Sequence, residues 1–175
     1  NNGVCESHFA GSTGYGYGDR GREVLDELTA EIFGTEDAII RHSFASGTHT
    51  LGVMLFGVLR PGDNVLCVTG TPYDTIHSVI GLTGEGMGSL KDFGVTFDIV
   101  ELLPDGTPDY NGIQEALSKK TYKAAYIQRS RGYSLRPSLL HSDIKKLVDL
   151  VKANSNAFVM LDNCYGEFTE YNMPS

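Results

Sequence analysis

Several reactive side chains gather where an apolar run stops. Phe158, Val159, Met160 and Leu161 are followed at once by Asp162, Asn163, Cys164 and Tyr165: a carboxylate, an amide, a thiol and a phenol. A carboxylate in so apolar a setting needs a cation or strong donors, or takes up a proton. Four readings of Asp162 stay open on the residues alone: metal ligand, general base, partner of a protonated ring nitrogen, or structural aspartate satisfied by backbone N–H groups. Metal is the weakest of these, because His8, His42, His49, His77 and His141 are scattered without His-x-x-x-His spacing. Cys164 would act as a nucleophile only with a histidine beside it in space; otherwise it is an inert buried thiol.

Three more groups have the chemistry of a binding site. Ser46, Gly47, Thr48 and His49 lead into the apolar stretch 51–59. At a helix entrance, unpaired N–H groups and the positive end of the dipole suit an anion, although the same residues also serve as a plain N-cap. Tyr73, just past a strand candidate, offers a ring to stack on a flat ligand or simply to pack. Arg129 and Arg131 bracket Ser130 and suit a carboxylate or phosphate, or are ordinary surface arginines. The series Gly14-x-Gly16-x-Gly18 and Gly84-x-Gly86-x-Gly88 fall short of GxGxxG and follow no strand, so they read as flexible loops.

The elements that must hold these residues alternate. Residues 22–33 place Val24, Leu25, Leu28 and Ile32 on one helical face, with Gly34 as a left-handed stop. The stretch 51–59 is apolar almost all round, which predicts a buried helix. Strands are expected at 64–69, across the alternating Val95, Phe97 and Ile99, at 124–128, and over the run before Asp162. That last run, with four large apolar residues in succession, reads as covered on both faces. Helices are expected over 110–117 and from a Ser142 cap through Ile144, Leu147, Val148 and Val151. Alternating strands and helices imply an α/β fold, a mostly parallel sheet flanked by helices with right-handed crossovers. The polar clusters at Tyr73 and Asp74, at residues 128–131, and at Asp162 and Asn163 then share one rim.

Bulk properties exclude some classes. The net charge is -8, and the 14 Lys and Arg form no long basic run, so a nucleic-acid partner is not expected. No apolar stretch reaches the roughly 18 residues of a membrane span, and the N-terminal residues resemble no signal or transit peptide, so a cytoplasmic protein is expected. Cys5, Cys67 and Cys164 are odd in number and lack CxxC spacing, which reads as reduced thiols.

The order of these signals resembles the large domain of fold-type I enzymes that use pyridoxal 5'-phosphate, of the aspartate aminotransferase type. The residues that carry the likeness are Ser46-Gly47-Thr48, Leu59-Arg60-Pro61-Gly62-Asp63, Tyr73 and Leu161-Asp162-Asn163-Cys164-Tyr165. Within the branch of cysteine and methionine metabolism, four runs look like the aluminium-resistance proteins, also called methionine γ-lyase-like or cystathionine β-lyase-like. They are Gly-Ser-Thr-Gly-Tyr-Gly-Tyr (11–17), Ser-Gly-Thr-His (46–49), Ile-Gln-Arg-Ser-Arg-Gly-Tyr-Ser (127–134) and Asp-Asn-Cys-Tyr-Gly-Glu-Phe (162–168).

The resemblance implies roles. Ser46, Gly47 and Thr48 would cup the cofactor's phosphate, Tyr73 would stack on its ring, Ser130 would lie beside it, and Asp162 would pair with the ring nitrogen. Tyr15 matches a tyrosine after which relatives carry, two residues on, an arginine that reaches a neighbouring subunit's phosphate; this chain has Tyr17 there, and Arg20 or Arg22 would stand in. It further implies a carbon–sulfur lyase acting on a sulfur amino acid, a homo-oligomer (dimer or tetramer), an N-terminal arm over 1–20 and a partial cofactor-binding large domain over 21–175. The Schiff-base lysine of such enzymes follows the aspartate strand, so it is expected beyond Ser175, and this chain alone is expected to be inactive. The alternatives are a non-catalytic binding or assembly module of the same fold, or another fold-type I enzyme such as an aminotransferase or aldolase.

Overall fold

The computed structural model describes residues 2–15, 17–84, 86–167 and 169–171. Gly16 of the first glycine series and Phe168 of the last motif lie outside them. The chain divides into two compact units, one up to Ala45 and the other from Ser46 onward.

In the first unit a single 3-10 turn, Glu6–Phe9, precedes helix α1, Arg20–Phe33. Asp19 caps α1 by accepting from Arg22 N at 3.2 Å, and Gly34, at φ 67, closes it in the left-handed conformation expected. Asp26 then ties down the strand-like exit by accepting from Ile40 N and the Arg41 guanidinium, each at 2.8 Å. Of the apolar face predicted for α1, Leu25 and Ile32 remain exposed, and Ala30 is its buried residue.

The second unit is built on four parallel strands: β1 (Asn64–Cys67), β2 (Thr96–Ile99), β3 (Ala124–Gln128) and β4 (Phe158–Asp162), in the order β2-β1-β3-β4. Helices α2 (Gly47–Val58), α3 (Asp74–Ile80), α4 (Tyr110–Lys119) and α5 (His141–Asn154) connect and cover them. Side chains alternate faces along a strand. Val65 and Cys67 of β1, with Ala124 and Tyr126 of β3 and Met160 of β4, pack with Leu55 of α2 and Ile76 and Ile80 of α3. Leu66, Ala125 and Ile127 pack on the other face with Ile113 and Leu117 of α4 and Ile144, Leu147 and Val151 of α5.

Three expectations need correction, and one helix is additional. Helix α2 is not buried all round: Leu55 is fully covered, but Val53, Phe56 and Val58 are exposed, because the sheet covers only one side of it. Double-sided burial belongs to β3, all five of whose residues are buried. In β4, which lies at the sheet's edge among the described residues, Phe158 is 57% exposed. Helix α5 begins at His141, with Leu140 rather than Ser142 at its cap. Helix α3 was not anticipated; its Ile76 and Ile80 are one helical turn apart, but seven residues between Pro72 and Gly81 make a weak periodic signal.

Candidate functional site

Parallel order places the carboxyl ends of β1, β3 and β4 on one rim. The connections run one way from β1 to β2 and the other way to β3 and β4, so β1 and β3 flank the switch point where open α/β sheets form their ligand crevice. A cavity of about 710 Å³ lies there, lined among others by Ser46, Gly47, Thr48, Tyr73, Ser130 and Asp162. This is the volume of a small-ligand site. Tyr15 and Arg20 belong to the first unit.

Residue parity on the strands decides which way each polar group faces. Asp162 continues the side of Met160, and Gln128 that of Tyr126, toward α2 and α3. Tyr126 donates its hydroxyl to Asp162 Oδ2 at 3.2 Å, and Cys164 N donates to Oδ1 at 3.0 Å. Each oxygen of the buried carboxylate thus has one donor and retains lone pairs for another. Burial first, and then the Asp162 charge, push the Tyr126 phenol far up, so it stays a donor. Burial first, then the hydrogen-bonding and charge of the adjacent Asp162, raise the Cys164 thiol to about 11, which keeps it neutral. A nucleophilic role for Cys164 has no support in this setting.

At the opposite wall, Ser46 caps α2 by accepting from His49 N at 3.1 Å. The Gly47 and Thr48 backbone N–H groups have no acceptor among the described residues and point out of the helix start. The Thr48 hydroxyl donates to Thr75 Oγ1 at 2.9 Å, bringing a second hydroxyl from α3 to the same corner. Of the readings open for this segment, the structure contains the N-cap, made by Ser46, and the N–H groups that follow it are of the kind that suit an anion.

Tyr73 is held at both its backbone and its ring. Its N–H donates to Gln128 Oε1 at 2.6 Å, while Gln128 Nε2 donates to Ser130 O at 2.9 Å. The ring lies 5.9 Å from that of Tyr133, tilted by 46°. Gly132, at φ 55, permits this approach, since a Cβ there would stand 2.7 Å from Tyr73 Cδ2. The adjoining Tyr133 phenol, with burial as the second cause, pushes the Tyr73 phenol up to about 12. Ser130 Oγ accepts from Gly132 N at 3.2 Å, leaving its O–H free to donate.

The two arginines part company. Arg129 is 6% exposed, and its guanidinium is committed to protein acceptors, so it is not an anion receptor. Arg131 is exposed at the cavity rim, its guanidinium without a hydrogen-bond or ion-pair partner among the described residues. Gln128, Tyr126, Thr75 and Tyr133 were not singled out as site residues from sequence. Tyr126 and Gln128 did carry a signal, being polar groups two apart at the end of an otherwise apolar strand.

A parallel α/β sheet flanked by helices in this order is an architecture found among pyridoxal-phosphate-dependent, aminotransferase-like structures. The pyridoxal-5'-phosphate-dependent protein YhfS of Escherichia coli shares it, with TM-score 0.63 at 17% identity over 89% of this chain and 37% of that one. The chain belongs to the methionine gamma-lyase family, whose profile matches residues 1–175. It is 49% identical over 169 residues to the uncharacterized protein YnbB of Bacillus subtilis (strain 168), covering 95% of this chain and 40% of YnbB. A carbon–sulfur lyase involved in aluminum resistance from Clostridium novyi NT superposes with TM-score 0.93 at 46% identity, over 99% of this chain and 41% of that one. The chain therefore spans about two fifths of the length of these relatives.

Proposed function

We propose that these residues form the cofactor-binding part of a pyridoxal-phosphate-dependent carbon–sulfur lyase acting on a sulfur amino acid. The observation that carries this reading is the convergence in one cavity of the open α2 start, the Tyr73 ring and the Asp162 carboxylate. Their donor chemistry fits the group end to end. Gly47 N–H, Thr48 N–H and the Thr48–Thr75 hydroxyl pair suit a dianionic phosphate. Tyr73, fixed by Gln128 and Tyr133, offers a ring face. Asp162, with a lone pair free on each oxygen, suits a protonated pyridine nitrogen.

When bound, pyridoxal phosphate supplies an electron sink for the pair released at the substrate's α-carbon. Asp162 keeps the ring nitrogen protonated, and Tyr126 and Cys164 N keep Asp162 aimed. The Tyr73 phenol, held neutral, can give a proton to a departing sulfur but does not take one at neutral pH. Ser130 offers its O–H beside the ring, and Arg131 is available to an anionic group of the substrate. Tyr15 and Arg20 are assigned to the phosphate of a neighbouring subunit in a homo-oligomer.

The test uses the full-length polypeptide that contains these residues. Addition of pyridoxal phosphate should produce a visible absorbance band that borohydride bleaches, and the loaded protein should release a thiol from a sulfur amino acid. A full-length protein that never acquires the band refutes the reading.

A further inference from the structure

The chain after Asp162 does not hold itself in place. Tyr165 adopts φ 64, a left-handed conformation unfavourable for a residue with a Cβ, inside a turn closed by Gly166 N donating to Asn163 O at 2.8 Å. Such a turn persists only where its surroundings impose it. What imposes it here is one side chain.

Arg129 has five N–H groups and five acceptors. Nε donates to Leu139 O at 3.1 Å, Nη1 to Asn163 Oδ1 and to Gly166 O at 3.0 Å each, and Nη2 to Thr169 Oγ1 at 3.2 Å and to the Glu170 carboxylate. Glu170 in turn accepts from His141 N at 2.9 Å, the first residue of α5. The backbone of Arg129 adds a tie of its own, its N–H donating to Asp162 O at 2.9 Å. Gly166 makes room for this arrangement: a Cβ there would run into Asn163 Oδ1 and stand 2.7 Å from both Arg129 Cδ and Nη1, crowding the guanidinium and one of its acceptors together.

We infer that Arg129 is a positioning residue whose guanidinium latches Asn163, Gly166, Thr169 and Glu170 to β3 and α5, and through the Cys164 N–H sets the orientation of the Asp162 carboxylate. The latch itself stands on the contacts above. Its consequence for cofactor binding rests on the reading of Asp162 as the partner of the ring nitrogen.

The three cysteines report on the latch independently. Cys5 is exposed, Cys67 is 1% exposed in the sheet core, and Cys164 is half-buried in the latched segment. In the full-length protein without cofactor, alkylation by iodoacetamide is followed peptide by peptide for the parent, Arg129→Lys and Gly166→Ala. Lysine keeps the charge opposite Glu170 but loses the fork; alanine keeps Arg129 but crowds it. Both variants should speed Cys164 labelling about tenfold, with Cys5 unchanged and Cys67 still protected, the pattern of local opening. Both should also weaken pyridoxal phosphate binding about tenfold. If Cys164 keeps its parent rate, or rises only in proportion with Cys67, the latch is refuted and Arg129 merely supports global stability. If the parent takes up no cofactor, the labelling ratios still decide the latch, and only the reading of the site falls.

Discussion

Gln128 offers the most direct test of how the rim is assembled, because one buried amide joins the loops after β1 and β3. Replacing it by leucine removes two hydrogen bonds, of 2.6 and 2.9 Å, at similar volume. Ser130 O keeps a donor, since Arg136 Nη2 also reaches it at 2.7 Å, so that loss costs about 1 kcal/mol. Tyr73 N–H has no second acceptor among the described residues, and leaving it unpaired costs about 1–3 kcal/mol. Burial of the leucine offsets about 1 kcal/mol, so Gln128→Leu should destabilise the full-length protein by about 2 kcal/mol, read as a lower urea midpoint. The released Tyr73 loop should weaken cofactor binding about tenfold, measured by titration of the visible band. Gln128→Glu separates the two bonds. It retains the acceptor for Tyr73 N–H, but when ionised it sets an oxygen against Ser130 O. Protonated, it reproduces the amide's pattern, so its stability should approach the parent at low pH and fall as pH rises through the carboxyl's titration. A Gln128→Leu protein within twofold of the parent in affinity, with an unmoved midpoint, would sink this account.

Tyr126→Phe removes one of the two donors to Asp162 and should cost about 1.5–3 kcal/mol in urea unfolding; in an Asp162→Asn background the loss should shrink by about 1 kcal/mol or more, whereas strict additivity would show the pair is uncoupled. Gly132→Ala puts a side chain at φ 55 against the Tyr73 ring and should cost about 1–3 kcal/mol, with weaker cofactor binding; unaltered affinity would mean Tyr73 is not braced from that side. In a spectrophotometric alkaline titration, Tyr73 and Tyr122, both raised to about 12, and Tyr126, raised further, should remain un-ionised at pH 11. Since the unfolded chain releases those protons near pH 10, their contribution to stability is complete below about 10 and is lost as pH climbs toward 12. Full ionisation of all tyrosines by pH 11 without unfolding would contradict this.

Much of the scaffold was legible because it rests on periodicity. The 3.6-residue pattern around Ile144, Leu147 and Val151 and the apolar blocks at 64–67 and 124–128 mark elements that the structure contains. Order along the chain then predicted that Tyr73, residues 128–131 and Asp162 share one rim, as they do. What periodicity does not carry is partnership. Arg129 and Arg131 look equivalent as letters, yet Arg129, directly after β3, turns inward to five acceptors, while Arg131, two residues further into the loop, stays at the rim. The contact of Gln128 with Tyr73 spans 55 positions, and no local pattern announces it. Coverage was equally illegible: the apolar character of α2 and β4 predicted burial without saying whether a neighbour is present to provide it.

That last point bears on β4. Asp162 rides on a strand whose outer backbone groups are unpaired among the described residues, so within the sheet its main chain is held by β3 alone. An open edge of this kind is a template for strand addition. Expressed by itself, this polypeptide should tend to self-associate through β4, and whatever segment seals that edge in a longer chain acts on the charge of the site as much as on the shape of the sheet.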